Sequence, residues 1–249
     1  MATITPNHIC ADARTEKIFD GYMTEIKQAE RIQTSMLGRV EKKTLIWLAE
    51  RQPLWVTSDM LTLVGVLGAF LTGLGFFLTY YGLGWLWLSI VGLVINWYGD
   101  SLDGTLARVR NTQRPLYGYY LDHTVDCISE AFMFVGAGLS PLLHLDLALA
   151  AFILYLFMTI NVSINAHLKS EFRLSYAKLG PTEFRLIIIL ACAVLLVFPS
   201  LADYQFDLGS NTVSIFDFVV LFVIFLLTII YLCTVISDAR HYAKIDPIK

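Results

Sequence analysis

From about residue 53 to residue 240 the chain is a succession of apolar runs, each near the ~20 residues that a helix needs to cross a bilayer core. This feature constrains the fold more than any other. In lipid a backbone must satisfy its own hydrogen bonds, and for a run of this length that means an α-helix. Six runs are expected to span: Leu61–Tyr81, Gly84–Gly99, Cys127–Leu145, Leu147–Asn165, Phe184–Ala202 and Val213–Val235. Composition agrees, since only 16% of residues are charged, against about 25% in soluble domains. Cys10, Cys127, Cys192 and Cys233 are scattered, without C-x-x-C spacing, and are expected to act as small hydrophobes rather than as a disulfide framework.

Orientation follows from the basic residues. Arg108, Arg110 and Arg114 separate runs two and three. Lys169, Arg173, Lys178 and Arg185 separate runs four and five, and Arg240, Lys244 and Lys249 follow run six. The remaining Lys and Arg all fall within residues 14–51, and the other three connections contain none. Basic residues concentrate on the cytoplasmic side, so both termini and both basic loops are expected there. The first fifty residues lack an apolar core, so no cleavable signal peptide is expected.

Three segments follow. Residues 1–52 form an amphipathic helical extension, residues 53–240 the membrane domain and residues 241–249 a tail. In the extension, Phe19, Tyr22, Met23 and Ile26 make one apolar stripe, and Leu37, Val40, Trp47 and Leu48 another. A helix in the membrane interface fits this pattern, as does one packed on its own chain or a partner. Gly65, Ala69 and Gly73 recur every fourth residue in the first run, a spacing that allows close helix packing in lipid. The expected class is an all-α integral membrane protein with six transmembrane helices and an interfacial N-terminal region.

The chemistry concentrates where run two ends and run three begins. Run two ends in Asp100-Ser-Leu-Asp103-Gly104-Thr-Leu-Ala107-Arg108, and run three is preceded by Gly118-Tyr-Tyr-Leu-Asp122-His123-Thr-Val-Asp126. On helices, Asp100 and Asp103 share a face, as do Asp122 and Asp126. A short basic loop joins the helices, so they are expected to be antiparallel neighbours with both carboxylate pairs at one depth. Like charges at 4 Å repel by about 4 kcal/mol per pair at an effective dielectric near 20. Divalent cations relieve this, and an oxygen-only set selects hard ions such as Mg2+ or Mn2+. Two such ions are a recurrent device for phosphoryl displacement. Gly104 and Ala107 leave space for a nucleotide beside the carboxylates, and Arg108 is a candidate phosphate ligand.

The pattern resembles the CDP-alcohol phosphotransferase family, whose signature is D-x-x-D-G-x-x-A-R, eight or nine residues, then G-x-x-x-D-x-x-x-D. All eight defining positions match, at Asp100, Asp103, Gly104, Ala107, Arg108, Gly118, Asp122 and Asp126. The resemblance implies that Asp100, Asp103, Asp122 and Asp126 hold two divalent ions, Mg2+ or Mn2+. It implies that Asp126 is also the general base and that Gly104, Ala107, Arg108 and Gly118 shape the CDP site. The implied reaction moves a substituted phosphate from a CDP-linked donor to an alcohol, releasing CMP, in phospholipid synthesis. Donor and acceptor stay open between CDP-diacylglycerol with a polar alcohol and a CDP-linked headgroup with a lipid alcohol. Membrane lipids are expected partners, a homodimer is compatible and nucleic acid is not expected. The competing readings are a transporter or ion pathway, which needs charges near the bilayer midplane, and an aspartate-rich prenyltransferase, which lacks Asp-Gly-x-x-Ala-Arg.

Family members often carry Pro-Asn before the first span, where this chain has Ser58-Asp59; Asp59 is expected to cap that helix, the alternative being that it adjusts the nucleotide site. His123, directly after Asp122, resembles an Asp-His pair of the choline and ethanolamine branch, as does Gly180-Pro181-Thr182-Glu183. His123, Glu183 and Arg185 are candidate substrate contacts. Pro181 and Thr182 also suit a helix start.

The charge pattern sets one expectation. Cysteines introduced as Gly82→Cys and Ser210→Cys should react with a membrane-impermeant maleimide applied to intact cells, and Arg114→Cys should not. External labelling at position 114 would reverse the orientation.

Overall fold

The computed structural model describes residues 30–32, 38–169, 171–173, 181–207 and 212–247. Seven α-helices dominate: α1 (Gly38–Glu50), α2 (Ser58–Leu78), α3 (Leu86–Val109), α4 (Pro115–Gly138), α5 (Leu145–Lys169), α6 (Pro181–Val197) and α7 (Ile215–Ile245). Two short ribbons accompany them. β1 (Glu30–Ile32) runs parallel to β2 (Glu171–Arg173), and β3 (Gln205–Asp207) pairs antiparallel with β4 (Thr212–Ser214).

The helices α2 to α7 correspond to the six apolar runs, but their limits differ in an instructive way. Hydropathy detects only the part of a helix that faces lipid. Thus α3 continues past Gly99 to Val109, and α4 begins at Pro115 rather than Cys127, so the whole D-x-x-D-G-x-x-A-R and G-x-x-x-D-x-x-x-D pattern is helical. Pro115 occupies the first turn of α4, where its missing N–H costs nothing. The last helix runs on to Ile245, into the segment read as a tail. Among the described residues, three stretches, Ser58–Tyr81, Leu145–Asn165 and Ile215–Ile245, are long and apolar enough to cross a membrane. The carboxylates dilute α3 and α4, and α6 has only 17 residues.

The N-terminal helix α1 buries Leu45 and Ala49 against Leu61, Leu102 and Leu106. Its Val40 and Trp47 point away from the protein at 66% and 52% exposure. The stripe at 19–26, together with Leu37, lies outside the described residues. The cap of α2 is Thr57, whose side chain accepts from Met60 N at 3.2 Å. Asp59 therefore does not cap α2, correcting that expectation. It stands in the first turn and faces Tyr117 and Arg114 at the start of α4.

The centre of the bundle is α2, and glycines make it so. A Cβ on Gly99 would lie 2.2 Å from Gly65 N, and one on Gly68 would lie 2.3 Å from Asn96 N. Farther along the same seam, a Cβ on Gly92 would lie 2.5 Å from Thr72 N. Ser89 Oγ donates to Thr72 O at 3.0 Å, and Asn96 Nδ2 donates to Gly65 O at 3.0 Å. A second seam joins α2 to α4, where a Cβ on Gly136 would lie 2.3 Å from Gly73 Cα. The small-residue stripe of the sequence thus serves two partners. One expectation is corrected here: α3 and α4 are not closely packed neighbours. Each packs on α2, and they make little backbone approach to each other. The physical reason is that the glycines lie on the faces turned to α2, while the facing sides of α3 and α4 carry carboxylates.

At the opposite end from the carboxylates, Asp217 and Ser214 form a capping box at the start of α7. Asp217 also accepts from His144 N at 2.9 Å and lies 2.7 Å from its Nδ1, which ties α7 to the α4–α5 turn. The rest of α7 leaves large apolar side chains such as Phe222 and Phe225 exposed, as a lipid-facing helix does.

The seam is testable. Gly99→Ala should lower the thermal midpoint in detergent, because overpacking against backbone costs roughly 1–3 kcal/mol. Gly84→Ala, whose Cβ would meet nothing within 4 Å, should leave it unchanged. Equal midpoints for the two variants would contradict the close approach of α2 and α3.

Candidate active site

Because α2 holds α3 on one side and α4 on the other, the acidic faces of the latter two look at each other across a gap. Asp100 of α3 and Asp122 and Asp126 of α4 each offer a carboxylate oxygen, and these oxygens lie within 4.8 Å of one another. Opposite ligands of a Mg2+ ion are about 4.2 Å apart, so the spacing and the oxygen-only chemistry fit a divalent cation. The cluster borders a small cavity of about 10 Å3, lined among others by Asp100, Asp103, Asp122, Asp126, Thr62 and Asn96.

Asp103 lines this cavity but stands apart from the trio. Thr62 Oγ1 of α2 donates to its Oδ2 at 2.6 Å, and Gly104 N donates to its Oδ1. Ser58 Oγ donates to its backbone carbonyl at 2.6 Å. The start of α2 therefore fixes Asp103 of α3 in place. Of the four aspartates expected to hold metal, the structure clusters three and sets Asp103 beside them.

Positive charge enters from α6. Arg185 Nη2 meets Asp100 Oδ2 at 2.5 Å, with only 15% of the Arg185 side chain exposed. Pro181 opens α6, in keeping with the helix-start expectation. The first turn of α6 is braced by α1: Glu41 Oε1 accepts from Thr182 Oγ1 at 2.5 Å and from Trp97 Nε1 of α3 at 3.0 Å. Glu183 is buried in the same turn. The side chains of Lys169 and Arg173, and all of Lys178 and Gly180, lie outside the described residues.

The nucleotide candidates lie along the outer edge. A Cβ on Gly104 would meet only the flexible Arg108 guanidinium, at 3.4 Å, and one on Gly118 would meet nothing within 4 Å. These two glycines, unlike those of the seams, leave open space rather than admit a neighbouring backbone. Arg108 is exposed, with Nη2 donating to Thr105 Oγ1 at 3.0 Å, and Ala107 is half-buried beside it. Across the gap, Arg114 lies over the Tyr117 ring at 3.8 Å and 3.7 Å from Asp59. His123 stacks on Tyr119 at 4.1 Å, with its Nδ1 3.0 Å from Tyr119 O. A carbonyl only accepts, so Nδ1 is the protonated nitrogen. The imidazole lies 3.9 Å from Asp122.

Sequence reasoning missed four residues that shape the site: Thr62, Asn96, Glu130 and Glu41. Asn96 precedes Asp100 by one helical turn, and Glu130 follows Asp126 by one turn. That spacing, together with a charge inside an apolar run, is a signal that singles out Glu130. Glu130 belongs to the charged surroundings of Asp126, with Asp100, Asp122 and Arg185. No local pattern marks Glu41, because its partners are distant in the chain.

Comparison with known proteins agrees with the motif. Residues 55–236 match the CDP-alcohol phosphatidyltransferase family. The chain is 37% identical over 86 residues to a phosphatidylinositol phosphate synthase of Cutibacterium acnes, covering 34% of this chain and 38% of that protein. It is 32% identical over 124 residues to cholinephosphotransferase 1 of Gallus gallus, covering 45% and 37%. With cholinephosphotransferase 1 of Bos taurus it shares 29% over 152 residues, covering 58% and 37%. The matched stretch thus spans less than two fifths of each of these relatives.

The open space at Gly104 carries a prediction. Gly104→Leu should fold, since its Cβ would meet only the Arg108 guanidinium, and should lose binding of CDP in a thermal-shift titration. Normal CDP binding by this variant would place the nucleotide elsewhere.

Proposed function

Because the chain belongs to the CDP-alcohol phosphatidyltransferase family, we propose that it catalyses transfer of a substituted phosphate from a CDP-linked donor to an alcohol, with release of CMP, in phospholipid synthesis. The observation that carries this reading is the meeting of Asp100, Asp122 and Asp126 across the gap between α3 and α4. Divalent cations bound there would neutralise the donor diphosphate and the charge that develops in transfer. Asp100, Asp122 and Asp126 would hold them, with Asp103 alongside as the fourth carboxylate.

The chain's own groups do the rest. The open faces of Gly104 and Gly118 admit the CDP moiety, Ala107 leaves room beside it and Arg108 binds its phosphates in bidentate fashion. The acceptor oxygen attacks the β-phosphorus and the bond to CMP breaks. Asp126, one turn deeper in α4 than Asp122, takes the acceptor hydroxyl proton. Arg185 balances Asp100 and, with Glu183 and His123, lies where the polar end of a substrate enters. All six helices α2 to α7 span the bilayer, the termini and the site face the cytoplasm, and α1 lies in the interface with Val40 and Trp47 toward lipid. Assembly as a homodimer is compatible with this reading.

Donor and acceptor identity has two forms. Transfer of a CDP-linked headgroup to a lipid alcohol is favoured by His123 beside Asp122, by Gly180–Glu183 and by the similarity to cholinephosphotransferases. Transfer from CDP-diacylglycerol to a polar alcohol is favoured by the similarity to phosphatidylinositol phosphate synthase.

Mass spectrometry of products from purified protein, Mg2+ and a panel of CDP donors and acceptors distinguishes these forms. CMP should appear in equal amount with a phospholipid product, and EDTA should abolish both. A general base contributes about 10²–10⁴-fold, so Asp126→Asn should cut turnover by about that factor while donor affinity at saturating Mg2+ changes far less. Near-normal turnover in Asp126→Asn would transfer the role of base to another group, with His123 the first to test.

A further inference from the structure

Asn96 of α3 is 2% exposed, yet its Oδ1 has no hydrogen-bond partner. The orientation of the amide is fixed by chemistry. Its other end faces Gly65 O at 3.0 Å, and a carbonyl only accepts, so the NH2 group lies there and Oδ1 is the atom left over. A buried acceptor without a donor is costly, and such atoms are rare in folded proteins. Among the described residues only Glu130 Oε2 and Asn161 Nδ2 share this condition.

The position of Asn96 suggests what satisfies it. Asn96 lies one helical turn before Asp100 and lines the cavity that Asp100, Asp103, Asp122 and Asp126 border. Ionised carboxylates accept and cannot donate. The nearby Thr62 hydroxyl is already committed to Asp103. None of the described residues reaches Asn96 Oδ1 with a donor, and a bound ligand is the group that can supply one. A cavity of about 10 Å3 has room for about one water-sized group. A Mg2+-type ion keeps several of its waters when carboxylates bind it, and each such water is a donor.

We infer that Asn96 is a further residue of the cation site, its Oδ1 the neutral outer-sphere partner of a hydrated divalent cation held by Asp100, Asp122 and Asp126. This rests on the cation reading above. Asn96 is a positioning residue: through Gly65 it is anchored to α2, and it sets how deep the hydrated ion sits between α3 and α4. It also adds an oxygen without adding to the repulsion among four carboxylates.

The test uses the full chain in detergent, without substrate, and reads Mn2+ binding from the electron paramagnetic resonance signal of the free ion. Outer-sphere partners of metal sites are worth roughly 10–100-fold in affinity, so Asn96→Ala should raise the Mn2+ Kd about tenfold or more. Asn96→Asp keeps an oxygen acceptor at the same place and should bind Mn2+ at least as tightly as the natural protein. Wild-type affinity in Asn96→Ala would overturn the inference alone. Weakened binding in Asn96→Asp would also overturn it, because the bond to Gly65 O would then be what matters; this variant decides the question if Asn96→Ala does not fold. A natural protein that fails to bind Mn2+ would overturn the cation reading and this inference with it.

Discussion

Backbone contact between α2 and its two partners is the constraint on which the rest of the structure depends. At Gly68, Gly75, Gly92 and Gly99 the two helices α2 and α3 approach until no Cβ fits between them, and Gly73 and Gly136 do the same for α2 and α4. Inside lipid there is little hydrophobic drive to bring helices together, so close van der Waals packing and polar bonds between helices take its place. Asn96 to Gly65 O and Ser89 to Thr72 O are such bonds. With both seams closed on α2, the acidic faces of α3 and α4 have no direction left except toward each other.

That enforced meeting is costly for the protein alone and useful for diphosphate chemistry. Asp100, Asp122 and Asp126 converge, while Arg185 meets Asp100 and Thr62 and Gly104 N meet Asp103. Relief comes from elements remote in sequence, since α6 brings Arg185 and α1 braces α6 through Glu41. A site assembled this way is rigid on its α2 side and open along Gly104 and Gly118. On the proposed reading, a nucleotide would approach on that open side, while the anchored side would keep the carboxylates in register for transfer.

Much of this was legible in the sequence. The eight motif positions and the apolar runs follow local rules, so the family, the all-α class and the cluster of Asp100, Asp122 and Asp126 could be read directly. What could not be read were the limits and the neighbours. Hydropathy stops where a helix turns from apolar to charged side chains, which hid the first half of α4 and the end of α3. The divergence of α3 and α4 was also hidden, because a short loop says that two helices are consecutive and nothing about whether a third lies against both. Asp59 looked like a cap, but Thr57, two residues earlier, has the extended backbone and the hydroxyl bond to Met60 N that capping requires. Asn96, Glu41 and Arg185 act through partners far away in the chain, and no local pattern reveals such a contact.

The central claim is that the gap held open by α2 is where cations and the CDP diphosphate meet the protein. Anomalous diffraction from crystals grown with Mn2+ and CDP tests it most directly. The account predicts Mn2+ density between Asp100 of α3 and Asp122 and Asp126 of α4, in contact with the diphosphate, with the ribose side of CDP passing Gly104. Mn2+ or CDP bound elsewhere on the protein, with Asp100 still held by Arg185 alone, would contradict it.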